Sequence, residues 1–502
     1  MDRKFAVAVA SILAFAAAGL LWLTTVWGNG TTPDSISYLI LARDLKSPAD
    51  ILSMTSHWPP LYPLLLSASS SALNNLIEGA RMMHCILFGL NTFLFYCLVS
   101  DRFSQNDLAA LGGTLLFALT PGIFSIHYMA WSEVPFISFT LLYLIFLRAW
   151  QISSATAVLV AAALAASAAL LTRYSGVALA GAGACIILFG QGRTTTKLAK
   201  SMGFGFLVAL PLAVFLLVRA IILDTPSSPR NFVVHFIEPE RAMAVVRVMY
   251  SWFKPTLLPE WVAVLFMLVI TSTLLLSIGA GVDSNRKNPT RVLLFIGVFY
   301  ILFLFTSISF FDFYTPVDNR TLSPLFVCLL ASIVFSVRYV GVRLPALGTA
   351  AVSILLIWPL LGLPTVLFTT SNVAQSGSGY LSRDFRGQDL LPYIAGSDLP
   401  SIYSNSQETI TFYLDRDSQA LPATFYPVEK RINDEAEEAY TAIFDSVRSG
   451  EATLIYFNRF SWRRYYPPLS MFEEEQLPIL YQGNSGVIFG IEKSPAPTLQ
   501  ID

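Results

Sequence analysis

The chain has 502 residues, of which 54% are hydrophobic and only 13% charged. A soluble globular chain carries about 25% charged residues, so a single water-soluble domain is excluded, and so is a disordered chain. The net charge of −1 gives no reason to expect nucleic acid, yet it hides an asymmetry: residues 371–502 hold 18 acidic and 10 basic side chains, against 15 and 22 in residues 1–370.

The composition divides the chain into a basic, apolar body (1–370) and an acidic, more polar domain (371–502). A bilayer core of about 30 Å needs about 20 apolar residues as a helix. Eleven stretches qualify as predicted spans, near 5–27, 81–99, 108–127, 131–149, 154–171, 175–190, 201–223, 260–281, 292–311, 320–337 and 344–369. The first is too long for the apolar core of a signal peptide, and Trp27-Gly28-Asn29 after it offers no small-residue cleavage site.

Bases in short loops set the orientation. With the N-terminus inside, every inner segment holds one: Arg3 and Lys4; Arg102; Arg148; Arg193, Lys197 and Lys200; Arg286, Lys287 and Arg291; Arg338 and Arg343. Eleven spans then put residues 371–502 outside, together with the long segments 28–80 and 224–259. Cys85, Cys97, Cys185 and Cys328 all fall in predicted spans. An exported domain without cysteine suits a bacterial periplasm, so the expected location is the bacterial inner membrane.

Ionisable groups near a membrane are expensive, so their positions carry information. In Thr31-Thr-Pro-Asp34-Ser-Ile-Ser-Tyr38, Thr32 is a candidate N-cap with Pro33 at the first helical position. Asp34 then either satisfies a helix N-terminus or serves as a general base at the water–lipid boundary. His57-Trp-Pro-Pro60-Leu-Tyr62-Pro63 carries three prolines in five residues, which predicts a rigid, extended approach to the next helix. Its aromatic rings belong to the headgroup belt or to a pocket rim.

His127-Tyr-Met-Ala-Trp131-Ser132-Glu133 marks the next outer turn, and Glu133 needs a partner there unless it is an ordinary first-turn acid. All four histidines, His57, His84, His127 and His235, map to the outer half, but no zinc-type spacing is present. Cations suited to phosphate are Arg173, the loop residues Arg230, Arg241, Arg247 and Lys254, and Arg320 in Asp318-Asn-Arg-Thr-Leu-Ser-Pro324. A cation at a helix N-terminus opposes the dipole, so Arg320 either pairs with Asp318 or binds an anionic headgroup.

In the acidic domain, Ser401–Ser404, Ala452–Phe457 and Gly486–Ile491 read as strands and Asn433–Arg448 as a helix, a small α/β unit. It has neither a phosphate loop nor a nucleophile elbow, and reads as a packing or recognition lid.

Taken in order, Asp34, the Pro59-Pro-Leu-Tyr-Pro63 segment, Trp131-Ser-Glu133, Leu171-Thr-Arg173-Tyr-Ser-Gly176 and Asn319-Arg320-Thr-Leu-Ser-Pro324 resemble the GT-C glycosyltransferases. The nearest branch is the bacterial one related to protein O-mannosyltransferases and to the aminoarabinose transferase of lipid A. The resemblance implies a polytopic helical fold and a polyprenyl-phosphate sugar donor. Asp34 would deprotonate an acceptor hydroxyl, with inversion at the sugar. Arg320 and Arg173 would hold the phosphate, and Glu133 would position the acceptor or a metal. Tyr38, His57, Tyr62, Arg230 and Arg241 would line the substrate path. A divalent ion, Mg or Mn, would draw on Asp34, Glu133 and His127. Protein O-mannosyltransferases carry an Asp-Glu pair where this chain has Asp34-Ser35, which favours a lipid or glycan acceptor over a protein. A flippase or transporter of lipid-linked sugars, or a glycan polymerase, is the competing class.

Overall fold

The computed structural model describes residues 2–54, 57–100, 107–223, 232–254, 259–280, 289–426, 430–458 and 465–491. Each of the eleven predicted spans is met by a helix. The bundle opens with α1 (Arg3–Thr24), capped by Asp2, which accepts from the Lys4 amide. It continues through α5 (Leu76–Val99), α8 (Glu133–Ser153), α11 (Thr194–Leu223), α14 (Pro289–Phe310), α15 (Ser323–Arg343) and α16 (Pro345–Ser376). These seven are long and apolar enough to cross a membrane. α6 (Leu108–Leu119) and α7 (Pro121–Tyr128) reach that length only as a pair, and they meet at 55°, where Pro121 removes an amide donor. Two shorter apolar helices, α9 (Thr156–Thr172) and α10 (Val177–Leu188), and the apolar α13 (Glu260–Ala280) complete the set.

The packing is that of a membrane protein. Large apolar side chains of α1, such as Phe5, Ile12 and Phe15, point outward, whereas Ala6, Ala10 and Ala17 face the bundle. Hydrocarbon solvates the former as well as a core would, so close contact of small residues holds the helices together. Gly89 of α5 shows this: a Cβ there would sit 2.9 Å from the Ala14 carbonyl oxygen. α15 is apolar all round and buried along almost its whole length, which makes it the central helix.

Four further helices cover one end of the bundle: α2 (Pro33–Asp44), α3 (Pro48–Ser53), α4 (Leu61–Leu73) and the amphipathic α12 (Pro239–Phe253). The proline-rich segment differs from the extended approach expected of it. α4 starts at once at Leu61, with Pro60 as its N-cap and Pro63 in the first turn. Prolines are harmless there, because first-turn amides have no intrahelical acceptor.

The polar domain follows α16. Short helices α17 (Arg383–Arg386), α18 (Leu390–Gly396), α19 (Gln407–Leu414), α20 (Ala436–Arg448) and α21 (Leu469–Glu474) surround strands β1 (Ser401–Ser404), β2 (Gln419–Ala420), β5 (Ala452–Phe457), β6 (Ile479–Gln482) and β7 (Gly486–Phe489). The sheet order is β2-β1-β5-β7-β6, with β1 parallel to β2 and β5, and β7 antiparallel to its neighbours. A separate two-stranded pair joins β3 (Phe425–Tyr426) to β4 (Arg431–Ile432). β5 is buried at every residue, as a central strand covered on both faces must be. α20 begins three residues later than predicted: Asn433 accepts from the Glu435 amide, so Asp434 and Glu435 lie before the helix.

The segments 28–80 and 224–259, and the turn between α14 and α15, all meet this domain. Thr31 donates its amide to Ser378, Glu238 pairs with Lys430, and the Tyr314 ring meets Tyr465. At the opposite end of the bundle, Arg338 pairs with Asp107 and donates to the Val99 carbonyl, and Arg148 donates to the Leu98 carbonyl.

Candidate active site

α2 forms as its sequence dictates: Thr32 accepts from the Ser35 amide, Pro33 opens the helix, and Asp34 sits in the first turn. Across from it, Glu133 starts α8 and Arg320 stands three residues before α15. Arg320 donates from Nη1 to Asp34 at 2.9 Å and from Nε to Glu133 at 2.5 Å. Arg173, in the turn after α9, donates from one nitrogen to the same Glu133 oxygen at 2.5 Å and to Ser132 at 3.0 Å. Residues from four separate stretches therefore form one alternating chain of charge: Asp34, Arg320, Glu133, Arg173.

The members differ in exposure. The Glu133 side chain is 1% exposed and its Oε2 has no hydrogen-bond partner, whereas the Asp34 side chain is 41% exposed. A buried carboxylate without compensation is costly, and two guanidinium groups supply that compensation here. Burial works against the Arg320 charge, but Glu133 and Asp34 outweigh it and hold its pKa above the ordinary value. The guanidinium also lies over the Trp131 ring, 4.8 Å from its centroid, and Trp131 in turn donates to Thr32 at 3.0 Å. Arg320 does not pair with Asp318. That carboxylate accepts from the Thr321 amide at 2.9 Å and is raised in pKa by burial.

Tyr38, one turn beyond Asp34, faces Ser132 at 3.4 Å. Burial, and then the Asp34 charge, push its pKa up, so the phenol stays protonated. The Trp58 ring lies 5.2 Å from Tyr38, and His57 packs edge-on against Trp58 at 4.5 Å. Tyr62 is displaced from its expected role as a pocket wall: it is wholly buried, edge-on behind Tyr38, and its hydroxyl meets His84 Nε2 at 2.9 Å.

Other assignments move further. Arg241 donates to the Thr315 carbonyl and lies 4.3 Å from the Phe313 centroid, apart from the acidic pair. Arg230 lies outside the described residues. His127 is fully buried, with Nδ1 at 2.7 Å from the Ile123 carbonyl and Nε2 at 3.1 Å from Asn91, so both ring nitrogens are engaged. Among the described residues no three His, Cys, Asp or Glu side chains gather as metal ligands. Between Asp34 and Glu133 the Arg320 guanidinium stands where a cation would be needed. An Mg or Mn ion there would have to take the place of that guanidinium and draw on Asp34 and Glu133, the two carboxylates now held by Arg320.

Ser132, Trp131 and Trp58 join the site; the sequence places them within its motifs but assigns them no role of their own. Arg219, at the far end of α11, is buried, donates from Nε to the Met54 carbonyl at 2.8 Å, and keeps Nη1 without a hydrogen-bond partner among the described residues. The signal for Arg219 was an arginine in an otherwise apolar span.

The helical membrane bundle, with short helices over one end and a small α/β domain, has the GT-C fold. The fold is that of ArnT from Cupriavidus metallidurans. Its structure bound to undecaprenyl phosphate superposes at TM-score 0.63 with 13% identity, covering 95% of this chain and 97% of that one. The apo structure of the same protein gives 0.61 at 13% identity, with the same coverage of both chains. The mycobacterial arabinofuranosyltransferase AftD, in its R1389S mutant form, gives 0.48 at 13% identity over 98% of this chain and 42% of that chain. The family model for dolichyl-phosphate-mannose-protein mannosyltransferase matches residues 57–219. That stretch contains Glu133, Arg173 and Arg219 but neither Asp34 nor Arg320. No curated protein matches the chain in sequence.

Proposed function

We propose that the chain is a membrane glycosyltransferase that moves a sugar, a hexose or pentose, from a polyprenyl-phosphate donor to a hydroxyl group of a lipid or glycan acceptor. The observation that carries this reading is the half-exposed Asp34 carboxylate, fixed by Arg320 beside a buried Glu133. In this reading the acceptor hydroxyl loses its proton to an Asp34 oxygen as its own oxygen bonds to the anomeric carbon. The bond from that carbon to the phosphate oxygen breaks, the phosphate keeps the electron pair, and the configuration inverts. Phosphate is a competent leaving group, so cations rather than a general acid are required.

Glu133 neutralises part of the charge of Arg173 and Arg320, so it tunes these cations rather than reacting. Arg219 keeps a donor unused among the described residues that suits a phosphate oxygen, and Met54, which it holds, lies three residues before His57. ArnT was solved with undecaprenyl phosphate, and its shared fold supports a polyprenyl phosphate here. The basic residues Arg3, Lys4, Arg148, Arg338 and Arg343 mark the end of the bundle remote from the domain. They support a cytoplasmic N-terminus and an extracytoplasmic domain, in a bacterial inner membrane.

The test is transfer of labelled sugar from a polyprenyl-phosphate donor by the purified chain in nanodiscs. Wild type should transfer and Asp34→Asn should keep only a small residual rate, while binding donor equally. Wild-type turnover by Asp34→Asn would sink the base assignment.

A further inference from the structure

The α2 helix that carries Asp34 is held at both ends by the C-terminal domain. Before the helix, residues 28–32 run between two other segments. Gly30 donates to Tyr128 at 2.8 Å and accepts from Ala130 at 2.8 Å on one side. On the other, the Thr31 amide donates to Ser378 at 3.2 Å, and the Thr31 hydroxyl accepts from the Leu381 amide at 3.1 Å. One neighbour leads within four residues to Glu133; the other opens the domain. Gly379 makes the second contact feasible: its φ is +67°, and a Cβ there would fall 1.7 Å from the Thr31 carbonyl oxygen.

The far end of α2 is fixed by Arg43. Its Nη1 donates to the Thr411 carbonyl at 3.1 Å, one of the unpaired carbonyls at the end of α19, and its Nη2 meets Asp415 at 3.0 Å. Between the ends, Ile36, Tyr38 and Leu39 share a hydrophobic cluster with Tyr380 and Phe385, and Phe412 and Tyr413 pack against it. That cluster is separate from the core of the spans and from the cores of the sheet. One wall around the helix bearing Asp34 is therefore made of residues beyond 376.

We infer that the C-terminal domain is a positioning element for Asp34, acting through Thr31 and Gly379 before α2 and through Arg43 after it. This rests on the reading of Asp34 as the base. A helix clamped at both ends keeps its first turn in register with Arg320, and the 2.9 Å contact depends on that register. Thr31, Gly379 and Arg43 touch no reacting atom; they act through the placement of the carboxylate.

The experiment is a kinetic double-mutant cycle on the full chain in nanodiscs. Arg43→Ala and Thr31→Val should each lower kcat about tenfold to a hundredfold, the scale for a misplaced catalytic group, with little change in donor KM. Arg43→Lys should recover most of the loss. In an Asp34→Asn background the same substitutions should lower the residual rate no further, because nothing remains for them to place. Arg43 is partly exposed, so that arm stays readable should Thr31→Val fail to fold. Folded Arg43→Ala with wild-type kcat would overturn the inference, as would equal losses with and without Asp34. If Asp34→Asn loses transfer while Arg43→Ala does not, only the positioning role fails. If Asp34→Asn itself turns over normally, the base assignment falls and the positioning role with it.

Discussion

Glu133 and Arg320 lie 187 positions apart in the chain and meet at 2.5 Å. Glu133 is the hub of the site, since Arg173 binds the same oxygen. Removing it would leave two guanidinium groups facing each other over a buried gap. Breaking a buried pair from one side costs about 3–5 kcal/mol. Glu133→Ala should therefore lower the thermal midpoint in detergent and abolish transfer. Glu133→Gln, which keeps the shape and an acceptor oxygen, should melt nearer to wild type. A Glu133→Ala protein that melts like wild type would contradict the pairing.

Arg219 offers a test of donor binding that is separate from the acid pair. Its Nη1, without a hydrogen-bond partner among the described residues, suits a phosphate oxygen, and a hydrogen bond to a charged group contributes about 1.5–3 kcal/mol. Arg219→Ala should raise donor KM about tenfold to a hundredfold and change kcat much less. Titrating a fluorescent polyprenyl phosphate into the variant measures this directly. Unchanged affinity would place the phosphate elsewhere.

The spans were legible in the sequence because burial in lipid needs only an uninterrupted apolar run, which any window over the chain detects. The N-terminus of α2 was legible for the same local reason: Thr32, Pro33 and Asp34 carry their capping chemistry within three residues. The pairing of Arg320 was not. Asp318 is nearer in sequence, and only the closing of α15 against α8 brings Glu133 within reach. α4 was hidden by prolines that punctuate its start rather than forbid it. β2, β3 and β4 have two residues each, too few for an alternating pattern to register. Tyr62 and His127 looked like site residues because aromatic and imidazole groups serve binding and core equally well. Burial alone separates the two uses.

His84 and His127 form a polar core under the site. His84 Nδ1 donates to the His127 carbonyl at 3.2 Å, which leaves Nε2 to accept from the Tyr62 hydroxyl at 2.9 Å. Asn91 donates to His127 Nε2, and Ser138 donates to the Asn91 carbonyl oxygen at 2.6 Å. Tyr62→Phe would strip His84 Nε2 of the hydroxyl that donates to it in a dry setting, which costs about 1–3 kcal/mol. It should lower the thermal midpoint while leaving donor KM unchanged. Tyr38→Phe should do the reverse, because Ser132 keeps its bond from Arg173. The two variants, compared by melting and by kinetics, separate support from contact.

The opposite end of the bundle provides the control. Arg338 spans from Asp107 to the Val99 carbonyl, and the Asp107 side chain is 4% exposed. The pair closes the end of α5 against α15, where the last carbonyls of α5 have no intrahelical partner. Arg148 does the same for Leu98. These bases thus satisfy backbone groups as well as any topological role. Arg338→Ala leaves the buried Asp107 with the Tyr96 hydroxyl but without its cation, which costs about 3–5 kcal/mol. Yield and melting temperature should fall, and the surviving folded fraction should transfer sugar with the wild-type kcat and KM. Arg338→Ala with normal stability would show the pair to be weak. A changed KM in the folded fraction would mean that the two ends of the bundle are coupled and that chemistry is not confined to the Asp34 end.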